Sequence, residues 1–162
     1  MMRALLPSLT FAAFLLGGCV NGQFSVAAAA NDADAIATGL AQAVKDLRGG
    51  NVLSAAQMAQ IDSALADAQA TSAALAKAAS QTQAQSLATQ IAGDVNAIVA
   101  AASAIPTLPP PVPEVLAAAD VMLPVLEADV GIQAPVGAAP GMSVAQARAL
   151  LAAQAAKFRA GA

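Results

Sequence analysis

From residue 36 to residue 102, apolar side chains recur every three or four positions, and many of them are alanine. That spacing turns one face of a helix inward, while alanine favours helix strongly but buries little surface. Such a chain must bring its helices close together around the few leucine, isoleucine and valine side chains it has. Composition sharpens the constraint: 58% of residues are hydrophobic but only 2% aromatic, and Trp, Tyr and His are absent. The expected fold is all-α, a small antiparallel bundle of alanine-rich helices with marginal stability. Without histidine there is no imidazole for acid–base, nucleophilic or metal chemistry. With so few aromatic rings, stacking on bases or sugars is almost excluded.

Five helices are expected, at about 31–48, 54–79, 84–105, 114–130 and 143–159. In the first, Asn31 or Asp32 can cap, Asp34 suits the positive end, and Ile36, Leu40, Val44 and Leu47 form the stripe. Lys45 and Arg48 fall in its last turn, and Gly49-Gly50 ends it. Ser54 and Gln57 form a capping-box pattern for the second helix. Met58, Ile61, Leu65, Ala68, Ser72, Leu75 and Ala79 then make a thinly filled, coiled-coil-like seam. A polar patch at 80–86 follows. Leu87, Ile91, Val95, Ile98 and Ala102 resume the stripe, displaced by about one residue. The phase slip favours a turn near 80–85, although no Gly or Pro marks it. The alternative is one helix over 54–105, roughly 78 Å long, against a radius of gyration of about 15 Å for a compact chain of this size.

Proline punctuates the second half. Pro106, Pro109, Pro110, Pro111 and Pro113 predict an extended spacer over 106–113. Pro113 and Glu114 suit the first turn of the next helix, the most apolar piece beyond the N-terminal segment. Pro124 should kink or split that helix, and Gly131 should end it. It is too short to span a bilayer and is expected to pack on the first helices rather than lie on a membrane. After a second linker at 132–142, Ser143 and Gln146 repeat the capping box, and Lys157 and Arg159 suit the C-terminal dipole.

The N-terminus differs from all of this. Arg3 precedes a mostly apolar run from Ala4 to Leu16, followed by Leu16-Gly17-Gly18-Cys19, which holds the one cysteine of the chain. The basic start, apolar run and small residues are the parts of a secretory signal. Together with Cys19 they resemble the signal of bacterial lipoproteins, in which signal peptidase II cuts before a lipid-bearing cysteine. The resemblance implies cleavage after Gly18, with Leu16, Gly17 and Gly18 as recognition residues and Cys19 as the lipidated one. It also implies a diacylglyceryl thioether and a third acyl chain, palmitate being typical; two or more chains anchor stably. With Val20 and Asn21 rather than Asp after the cysteine, it further implies the periplasmic face of an outer membrane, for a Gram-negative source. A lone thiol with no partner for an internal disulfide fits lipidation.

The resulting organisation is a signal peptide at 1–18, an anchor and tether at 19–30 and a helical bundle at 31–105. The linker at 106–113, apolar helix at 114–131, linker at 132–142 and C-terminal helix at 143–162 complete it. Of seven basic and ten acidic residues, Arg3 leaves with the signal, so the mature charge is −4 and nucleic acid is an unsuitable partner. Asp32/Asp34 and Glu127/Asp129 are the close carboxylate pairs, too few donors for calcium. No serine has a histidine or nearby lysine base, and Gly49-Gly50 precedes no phosphate-loop lysine. No catalytic residue, metal, cofactor or small-molecule substrate is predicted. The expected partners are the membrane, through the lipid, and a protein or a second copy of the chain. The expected function is non-enzymatic, a structural or interaction role at the cell envelope. Alternatives are an outer-membrane spanin-type lysis lipoprotein of a phage or prophage, which this small chain resembles, and a membrane-active helical protein.

Overall fold

The computed structural model describes residues 24–50, 53–133 and 141–161. Among these residues it is all-helical: α1 Val26–Gly49, α2 Ala55–Leu75, α3 Gln81–Ser103, α4 Val112–Asp129 and α5 Val144–Ala160. The first four alternate in direction. Arg48 near the end of α1 pairs with Asp62 near the start of α2. The Ser25 amide at the start of α1 donates to the Asp129 carbonyl at the end of α4, 2.9 Å away. α5 packs on α1 and α4, so α1 touches every other helix. No helix among the described residues is long and apolar enough to cross a membrane.

α1 begins five residues earlier than the start expected at 31. Ser25, not Asn31 or Asp32, is the cap, its hydroxyl accepting from the Ala28 amide at 3.2 Å. The alanine run expected as tether is helix, because alanine pays almost nothing to become helical and Ala29 and Ala33 are buried in the core. Residues 26–30 therefore belong to the bundle. Gly39 sits where α1 meets α5: a Cβ there would lie 2.9 Å from Leu151 Cδ2 and 3.3 Å from the Leu151 carbonyl oxygen.

The segment 54–105 is two helices, not one. The reversal falls at 76–80, slightly before the expected 80–85. The Lys77 and Ala78 amides bond three residues back, to Ala74 and Leu75, which tightens the last turn of α2. Ser80 then caps α3 through the Gln83 amide, and the Gln83 side chain accepts from the Ala79 amide. What reads as a polar patch is thus a helix start. Gln81 and Gln85 continue the same work, donating to the Val130 carbonyl at 3.4 and 3.2 Å and tying α3 to the end of α4. The seam of α2 is as thin as its sequence: Ile61, Ala64, Ala68, Ser72 and Leu75 are buried, Met58 and Leu65 only half-buried, and Ala79 exposed.

The proline-rich run is a corner rather than a spacer. Ile105 is buried, Leu108 packs against the core, and the Val112 amide donates to the Pro109 carbonyl at 2.9 Å. The Pro110–Pro111 peptide is cis. An extended polyproline segment keeps its backbone in water, but here Ile105, Leu108 and Val112 supply apolar side chains that pull it onto the bundle.

α4 supplies the bulk that alanine cannot. Val112, Val115, Leu116, Val121, Met122, Leu123 and Leu126 are all buried, and the helix continues through Pro124 without splitting. Gly131, at φ 79°, ends it. The Ile132 amide donates to the Glu127 carbonyl and the Gly131 amide to that of Ala128, the Schellman pattern that a left-handed glycine permits. α2 and α5 begin with the expected capping boxes, Ser54/Gln57 and Ser143/Gln146.

Candidate functional site

Leu16, Gly17, Gly18 and Cys19 lie outside the described residues. What the structure does place is where the chain leaves them. Phe24 is exposed, Ser25 caps α1, and both belong to the same end of the bundle as the α2–α3 reversal and Val130–Gln133.

Two other regions hold polar groups. Between α1 and α2 lies a cleft of about 300 Å³ whose polar lining is Asn31, Asp34, Thr38, Gln69 and Ser72. Alanines 30, 37, 73 and 76 form the rest of its wall. The Asp34 carboxylate is already engaged, by the Arg159 guanidinium and, at 3.5 Å, by the Thr38 hydroxyl. No basic side chain lines the cleft to activate the Ser72 hydroxyl, so its groups offer hydrogen bonds rather than nucleophilic chemistry.

The second region joins α1 to α5 and was not legible in the sequence. Asp32, expected as a cap, is a core carboxylate with a side chain only 8% exposed. Arg148 Nε donates to Oδ1 at 3.0 Å and Nη2 to Oδ2 at 2.6 Å, a bidentate pair across 116 residues. Arg159, expected only to suit the helix dipole, binds Asp34, and Lys45 Nζ donates to the Gly161 carbonyl at 3.1 Å. The predicted carboxylate pair 32/34 is therefore brought to one helix and split between two arginines of another. The pair 127/129 is not a site of that kind, since Asp129 is buried at the end of α4. No group of three or more metal-binding side chains occurs among the described residues. α5 also carries a buried oxygen with no hydrogen-bond partner, Oε1 of Gln154, which offsets part of what docking α5 gains.

One further carboxylate is perturbed. Burial raises the Asp94 carboxyl above its ordinary range, and the neighbouring Asp67 charge adds to the effect. The ionised form is disfavoured by the fold, so protonation on acidification stabilises the native state relative to the unfolded chain. Asp94→Asn is therefore expected to be slightly more stable than the parent at neutral pH. The gap should narrow as the pH falls through the raised folded-state range and be closed by about pH 4, where the unfolded carboxyl is also protonated. Denaturant unfolding of both proteins across that range checks this; a gap that widens on acidification contradicts it.

No family model, curated protein or solved structure matches the chain.

Proposed function

We propose that this protein is a lipid-anchored envelope lipoprotein without enzymatic activity, holding a helical bundle at the periplasmic face of an outer membrane. The observation that carries the reading is the N-terminal sequence: a basic start, an apolar run and Leu16-Gly17-Gly18-Cys19 with the one thiol of the chain. The fold supports it in a simple way. α1 starts at Val26, so only a short stretch separates Cys19 from a folded body. Acyl chains on Cys19 would hold that body at a lipid surface. Its role there is structural or interactive, the α1–α2 cleft and the exposed alanine faces being its contact surfaces.

The alternatives gain no support from a specific observation. The proline-rich run, a feature that spanin subunits sometimes share, is folded against the core at Leu108 and Val112. The apolar side chains of α4, which prompted the membrane-active reading, are the centre of that core.

The test is the intact mass of the full chain extracted from membranes in detergent, beside a Cys19→Ala variant. The expected result is a chain beginning at Cys19 and heavier by a diacylglyceryl group and an acyl chain. The variant should lose that mass and leave the membrane fraction. An unmodified chain, or one cut elsewhere, removes the proposal.

A further inference from the structure

The end of the bundle where the chain enters is different in character from the opposite end. Three connections define it: Ser25 to Asp129, and Gln81 and Gln85 to Val130. Across residues 24–25, 76–83 and 129–133, Lys77 is the one charged side chain besides the buried Asp129; the rest are Ala, Ser, Thr, Gln, Gly, Phe, Val and Ile. The far end, by contrast, carries Lys45, Asp46, Arg48, Asp62 and Glu114. Phe24, one of two exposed large hydrophobic side chains among the described residues, stands at the uncharged end, 37% exposed.

Chain length turns this into geometry. Five peptide units connect Cys19 to Phe24, a reach of at most about 18 Å. A body whose uncharged end is held that close to a bilayer loses little by shedding water there, since neutral amides and hydroxyls keep partners among lipid headgroups. An apolar ring at that boundary gains by burial, while the charged far end keeps its hydration.

We propose that this end is a lipid-contact surface: with Cys19 acylated, Phe24 enters the headgroup–acyl boundary and the α2–α3 reversal rests on the headgroups. This rests on the lipoprotein reading. The favoured surface is zwitterionic rather than anionic, because Lys77 is a single cation on a chain of net negative charge.

The chain contains no Trp, so a single introduced Trp reports one position without background. The experiment uses acylated full-length protein in phosphatidylcholine vesicles containing brominated lipid, which quenches Trp fluorescence at short range. Phe24→Trp and Ala79→Trp probe the proposed contact, Ala66→Trp the exposed flank of α2, and Thr107→Trp the far end. α3 has 23 residues and so is about 35 Å long, which places position 107 well beyond the quencher. The expected result is a blue shift and at least twofold quenching at 24, clear quenching at 79, and none at 66 or 107. A second sample with 30% anionic lipid should quench 24 and 79 no more strongly, and stronger quenching there would overturn the preference for a zwitterionic surface. Unquenched Trp at 24 and 79 in protein whose mass shows the acyl chains overturns this proposal while leaving the anchor intact. Quenching at 66 with none at 79 also overturns it, since the bundle then lies on its side. A mass without lipid on Cys19 overturns both readings.

Discussion

Replacing Arg148 by alanine is expected to destabilise the protein by about 2 kcal/mol, the largest effect of any substitution at a half-exposed side chain here. The reason lies in the partner. Asp32 is buried, and its two oxygens accept two bonds from Arg148. Taking one member from a buried pair costs about 3–5 kcal/mol, because the other charge stays in a poor solvent. Half of the Arg148 side chain is exposed, so water replaces part of what is lost and the figure is lower. Asp32→Ala should cost less, about 1 kcal/mol, since the arginine can turn further into water. The double variant should then be milder than the sum of the two, with a coupling of about 1 kcal/mol. Denaturant unfolding of the four proteins gives the cycle. Additive effects would show that the pair contributes nothing beyond its separate parts.

Leu126→Ala is expected to cost more, about 3–4 kcal/mol, with a fall in Tm of about 10–15 °C. Leu126 is fully buried in α4, and the core cluster it belongs to is rich in alanines that cannot extend to fill a gap. The cavity therefore stays open, the condition under which truncation is most costly. Ala66→Gln, on the exposed face of α2, serves as the reference and should change stability by less than about 0.5 kcal/mol. Thermal unfolding by circular dichroism checks both. A loss under about 1 kcal/mol for Leu126→Ala would mean that the bundle repacks freely and that α4 is not its rigid centre.

The helices and their stops were legible because each rests on local chemistry. Ser54/Gln57 and Ser143/Gln146 announce capping boxes, and Gly49 and Gly131 mark ends within a residue or two. The misjudged places are those where distant contacts override local signs. The alanines before Asn31 look like tether until Ser25 is seen to cap them and Ala29 to be buried. The reversal at 76–80 has no Gly or Pro, being made by tightened amide bonds and a serine cap. Proline density over 106–113 suggests an extended strut, but Leu108 and Val112 find core to pack against. Asp32 has the right type and place for a cap, and nothing local shows that an arginine 116 residues away will claim it. For the proposed anchor the balance is reversed: Leu16 to Cys19 carry their meaning in sequence alone.

α1 is the first helix of the bundle along the chain and the one on which all the others lean. Any process that delivers the polypeptide from its amino terminus, translation or threading through a channel, releases this hub first and its partners last. Until α4 and α5 arrive, Ile36, Leu40 and Leu47 have only the alanine-rich α2 and α3 to lean on. Completion of the core is therefore deferred until nearly the whole chain has emerged.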